Sequence, residues 1–168
     1  MNSMLKLAAV ATLTLLAACA AKSPFPQEVQ DKVLPGGGLY AQFEAWRDAS
    51  PSNGSGRSDS GLKLEFGGRI IQAVRNNEGV VVVAEQLPMA RGVTYGPVES
   101  VERKGDYTFA FLYPSDIDTQ SLSNGSRFVV VGTTTSRRPV VINGKYKTAP
   151  FMVADCIYLV SGQTHCTK

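Results

Sequence analysis

The chain predicts an all-β fold, a small closed or partly closed antiparallel β-barrel carried behind a lipidated flexible tether. Three observations predict it: short alternating or β-branched apolar stretches from Gly61 onward, turn-forming residues between them, and an N-terminal segment patterned for export rather than for the fold. Six or so twisted strands with one longer connection suit closure of the sheet, because closure removes exposed strand edges.

The export segment comes first. Lys6 supplies a positive start and Leu7 to Leu16 an apolar run, shorter than the ~20 residues that cross a bilayer as a helix. It ends in Leu16-Ala17-Ala18-Cys19, a bacterial lipobox, in which the cysteine thiol takes a diacylglycerol and the chain is cut before it. Residues 1–18 therefore read as a lipoprotein signal peptide and Cys19 as the lipidation site, the alternative being an ordinary secretory signal cut nearby. Ala20 stands where an inner-membrane lipoprotein commonly carries aspartate, so the expected location is the outer membrane with the domain facing the periplasm.

Residues 19–38 follow as a tether, with Pro24, Pro26, Pro35 and Gly36-Gly37-Gly38 among few apolar positions. Fully extended, such a stretch reaches about 60 Å, which would let the domain stand away from the lipid. The glycines do not form a phosphate-cradling loop, since no Gly-Lys-Ser/Thr follows them. The folded domain is expected over 39–160 and a short C-terminal tail over 161–168.

Leu39 to Arg47 reads as either a short helix, with Leu39, Phe43 and Trp46 on one face, or an edge strand. Residues 50–58 are polar and turn-rich, a long mobile loop. Leu62 to Phe66 continues through Gly67-Gly68 into Arg69 to Val74, where glycines inside a strand pattern mark a bulge or bend. A turn at Asn76-Asn77-Glu78-Gly79 leads to the β-branched run from Val80, a central strand. Val98 to Arg103 reads as a short strand. Asp106 to Leu112 alternates Tyr107, Phe109 and Phe111 against small or polar residues, giving one buried aromatic face. Pro114 ends it, and a polar connection runs over 115–123. Arg127 to Gly132, a weaker Pro139 to Ile142, a tight Asn143-Gly144 turn and Phe151 to Val160 complete the strands. Val81, Val83, Tyr107, Phe109, Phe111, Val129 and Val131 are the expected core.

Removal of residues 1–18 leaves 150 of the 168 residues, enough for one domain with a real core. The full-chain charge of +3 falls to about +2 without Lys6, far from the basic footprint of a nucleic-acid binder. With Cys19 lipidated, Cys156 and Cys166 remain in an oxidising compartment and are expected to pair as a disulfide. The rival reading, a metal site of Cys156, His165 and Cys166, lacks a fourth ligand and a standard zinc spacing.

Several segments occur together in a telling order: Phe66-Gly67-Gly68-Arg69-Ile70-Ile71, Leu87-Pro88, Lys104-Gly105-Asp106-Tyr107, Leu112-Tyr113-Pro114, Gly125 to Gly132, and Gly144-Lys145-Tyr146 to Pro150-Phe151. This order, over roughly residues 33–160 and behind a lipobox, resembles the Slp family of starvation-inducible outer-membrane lipoproteins. Met89 and Phe66 depart from that family's pattern. The resemblance implies a small OB-like barrel and supplies no active site.

Candidate chemistry is sparse. The sole histidine, His165, lies near the C-terminus beside Cys166, a poor start for a catalytic triad. Asp116 and Asp118 are close enough in sequence to serve a glycan-acting hydrolase or a divalent cation, but Asp116-Ile117-Asp118-Thr119-Gln120 offers too few oxygen donors for a calcium loop. Arg137 and Arg138, with Lys145 and Lys147 beyond the next turn, would gather as a basic patch if their segments pair as a hairpin, and such a patch could meet phosphates or an acidic polymer. The expected function is a non-enzymatic binding or docking module with an envelope-maintenance or stress role, without cofactor or metal. Its expected partners are the lipid held through Cys19 and an envelope protein or glycan, with no nucleic acid. The alternatives are an accessory subunit of a secretion or surface-assembly machine and the hydrolase.

Overall fold

The computed structural model describes residues 23–35, 40–49, 61–89, 92–99 and 105–167. The signal peptide, Cys19 and the 50–58 loop lie outside the described residues. Among the described residues two α-helices, α1 (Gln27–Gln30) and α2 (Tyr40–Asp48), precede six strands: β1 (Lys63–Asn76), β2 (Gly79–Leu87), β3 (Thr108–Tyr113), β4 (Arg127–Ile142), β5 (Lys145–Leu159) and β6 (Gln163–Cys166).

The strands lie in the order β3-β2-β1-β4-β5-β6, and a further β3–β5 pairing closes the sheet into a ring. All neighbours are antiparallel except that closing pair, where Ala110, Phe111 and Leu112 run parallel to Phe151, Met152 and Val153. β1 serves two partners by bending: its first half pairs with β4, and the register against β2 shifts between Ile70 and Gln72. The irregularity thus lies beyond Gly67 and Gly68, which keep regular register with both neighbours and are small for want of space, since a methyl on Gly68 would meet the Glu85 carbonyl and the Phe128 ring at 2.8 Å.

The interior is aromatic. Phe66, Phe109, Phe111 and Phe128 fill the ring with Val80, Val82, Ala84, Val130, Met152 and Ile157. α2 plugs one end, because Phe43 and Trp46 fall on one helical face and reach Phe66 at 5.6 and 5.5 Å between ring centres. This settles residues 40–47 of that segment as a helix, while Leu39 lies outside the described residues.

Two further apolar clusters lie outside the ring. Val83, Ala110, Leu112, Val140, Ala149 and Phe151 form one; Phe25, Val129, Val131, Cys156 and Tyr158 form the other. The expected single core is thus divided: Phe109 and Phe111 face inward with Tyr107 packed beside them, whereas Val81, Val83, Val129 and Val131 belong to the outer clusters.

Other boundaries differ from the sequence reading. Residues 23–35, expected within a free tether, form a strap on the barrel: Phe25 is 3% exposed, Val29 and Val33 pack beside it, and the Leu34 amide donates to the Lys63 carbonyl. Few apolar residues were needed, because each falls on the outer face of β4 and β5, which is itself apolar. The expected strands 127–132 and 139–142 are one strand, bulged between Thr135 and Arg138, and β5 begins at Lys145 rather than Phe151. Val98 and Glu99 are not in a strand, and 100–104 lie outside the described residues. The expected tail contains β6, held to β5 by four residue pairs and by the Cys156–Cys166 disulfide, whose Cα atoms are 4.0 Å apart.

Candidate functional site

β1 and the two residues before it accompany β4 only as far as Thr134, so among the described residues 135–142 of β4 pair with β5 alone and the two strands project as an arm. Asn143 and Gly144, with φ of 50° and 76°, turn its tip as the Asn-Gly sequence predicts for a two-residue hairpin. The arm folds over the outside of the ring. Its Val140 and Ala149, with Phe151 at its base, are buried against Val83, Ala110 and Leu112. The consecutive valines of β2 explain this, since a strand apolar at both parities must bury both faces.

Between the arm and the β1–β2 hairpin lies a groove of about 280 Å³. Val74 and Val81 with Gln72 and Asn76 line one side; Arg138, Pro139, Val140 and Val141 line the other. Val74 is 48% exposed and Val141 39%, so the groove offers apolar surface to solvent. Its charged end is Arg138, which lies 4.6 Å over the Phe151 ring and 3.9 Å from the Glu78 carboxylate. Proline is tolerated at 139 because this part of β4 is an edge strand.

The hairpin expected from the sequence therefore forms, but its four cations do not act as one patch. Arg137 donates to the Arg47 carbonyl in the last turn of α2 at 2.6 Å and to the Thr148 carbonyl, a guanidinium placed where helix carbonyls lack partners. Lys147 bonds the Asp106 carboxylate at 2.6 Å and the Thr108 hydroxyl, latching the arm to the start of β3. Burial alone would push the Asp106 carboxyl up, but the hydrogen bonds from Lys147 and Thr108 outweigh it and hold it below the usual range. Lys145 is exposed beside the turn. Of the four, Arg138 alone lines the groove.

The other candidates fall elsewhere. Asp116 pairs with Arg75 at 2.7 Å and is almost wholly exposed, while Asp118 accepts from the Gln120 amide in a local turn, so the two carboxylates are separately employed. His165 sits opposite Ile157 in β6, its Nε2 buried without a hydrogen-bond partner. Both neighbouring cysteines are committed to the disulfide, and among the described residues no three His, Cys, Asp or Glu side chains gather as metal ligands would.

Sequence reasoning missed the groove. Its floor comes from positions 72, 74, 76 and 81, of which Val81 stands in a run apolar at both parities and reads as core, and the wall that turns them into a groove arrives from about 60 residues downstream. No protein-family model matches the chain, and no curated protein or solved structure matches it.

Proposed function

We propose that the protein is an outer-membrane lipoprotein, anchored through Cys19, whose β domain is a non-enzymatic docking module of the envelope. The groove beneath the arm carries this reading. It combines an exposed apolar floor, a single cation at one end and a strand edge, residues 138–142, that has a partner on one side only. An extended segment of a protein partner suits such a surface, pairing its backbone with the free edge and setting alternate side chains on Val74 and Val81.

The ring's connectivity supports an OB-like barrel, because β1 bends to serve both halves and β3 closes on β5 in parallel. The groove also lies outside the second strand, between the first hairpin turn and the fourth–fifth hairpin, where OB barrels hold their ligands. The lipobox and the ordered motifs that resemble the Slp family support the location and the envelope role.

The test is photo-crosslinking in cells from a reactive amino acid placed at Val141, with Val74→Glu as the companion change. A stoichiometric protein adduct from position 141, lost with Val74→Glu, supports the docking module. Adducts of many sizes unaffected by Val74→Glu, or none, would remove the groove as its binding surface.

A further inference from the structure

The lipid anchor and the strap are closer together than a tether permits. Cys19 and Phe25 are six residues apart, so their Cα atoms are separated by at most about 20 Å even when the chain is fully extended. Phe25 is not free to wander: it is buried, its carbonyl accepts from the Gln30 side chain, and the strap it begins is fixed again where the Leu34 amide reaches Lys63. Resting on the reading of Cys19 as acylated, we propose that the strap seats the barrel directly on the bilayer, in one orientation. The outer face of β4 and β5 is turned toward the lipid surface and the groove away from it.

Position in the ring decides the orientation. The strap covers Val129, Val131 and Tyr158 on β4 and β5, whereas the groove lies outside the β1–β2 hairpin, and β2 is the ring strand that pairs with neither β4 nor β5 and so stands opposite them. The segment nearest the strap's buried cluster also has a surface suited to headgroups. Val93 packs into the cluster that contains Phe25, and the Thr94 carbonyl accepts from the Tyr158 hydroxyl. Tyr95 and Val98 beside them are 56% and 37% exposed, an amphipathic aromatic and an aliphatic group next to the β4–β5 face that the anchor holds near the membrane. A groove facing the periplasm stays open to a partner, whereas a groove facing lipid would be blocked by its own anchor.

The experiment uses the full mature lipoprotein on vesicles of phosphatidylethanolamine and phosphatidylglycerol, followed by amide hydrogen exchange. Its companion carries twelve Gly/Ser residues inserted between Lys22 and Ser23, which add about 20 Å of average reach and leave the strap intact. In the native chain, vesicle binding should slow exchange over 92–98 several-fold relative to the same protein in detergent, with exchange over 138–142 unchanged; the insertion should abolish the protection. Equal exchange over 92–98 in the two chains, or protection of 138–142, overturns the seating while leaving the anchor intact. A mature chain whose mass shows no acyl groups on Cys19 overturns the anchor itself, and the seating with it.

Discussion

Gly132 shows how one residue fixes the ring. It stands where the β4–β5 register shifts, and a methyl there would lie 2.9 Å from the Ala154 Cα and closer still to the Val153 carbonyl, both backbone atoms that cannot turn aside. Gly132→Ala should therefore cost about 1–3 kcal/mol, the range of overpacked cores, read as a lower denaturant midpoint with an unchanged slope. Glu65 acts in the opposite sense. It lies opposite Val131, and burial pushes its carboxyl above the usual range. A raised carboxyl favours the fold fully below the ordinary glutamate value and loses that contribution as pH rises through the raised one. Glu65→Gln should thus melt at a higher temperature than the native chain at neutral pH, and the difference should close in acid, as thermal unfolding across pH will show. Glu65 is plain in the sequence, but its burial comes from contacts far along the chain.

At the scale of elements, the arm depends on apolar contact with β2 and β3 and on the Lys147 latch. The lysine and its aspartate are 37% and 54% exposed, so their pairing is worth roughly 0.2–1 kcal/mol rather than the strength its short distance implies. Asp106 has a lowered carboxyl value, so its contribution is present above the ordinary aspartate range and is lost as pH falls through the lowered value. Lys147→Met should destabilise the arm by that small amount at neutral pH and by less once Asp106 is protonated, when only the bond to the Thr108 hydroxyl is left to lose. Hydrogen exchange of 145–150 at the two pH values measures it. The sequence indicated a hairpin here from Asn143-Gly144, and the hairpin exists. Its reach over the barrel was not legible, because Ser136 to Arg138 carry polar side chains through the bulge and interrupt the apolar alternation that marks a strand.

For the molecule as a whole, β6 is the strand of the described sheet that lies outside the closed ring, joined through β5 and the disulfide. Cys156 and Cys166 are 10 residues apart, and closing a loop of that size contributes roughly 3 kcal/mol by the chain-entropy account. Reduction should lower the denaturant midpoint accordingly. Because the ring closes through β3 and β5 without β6, near-ultraviolet dichroism of its aromatic interior should persist below that midpoint. Loss of the aromatic signal on reduction alone would show that the ring itself needs the crosslink.

The sequence by itself determined the fold class, most strand positions and the inward face of β3, because these follow from local periodicity and turn chemistry. Only the tertiary structure decided which parity of the β2 valines faces inward, that residues 23–35 strap the barrel instead of tethering it, and that Arg137, Arg138 and Lys147 serve separate partners. A run that is apolar at both parities carries no signal for which face is enclosed. The choice falls to strands, straps and helix ends brought together by closure of the ring.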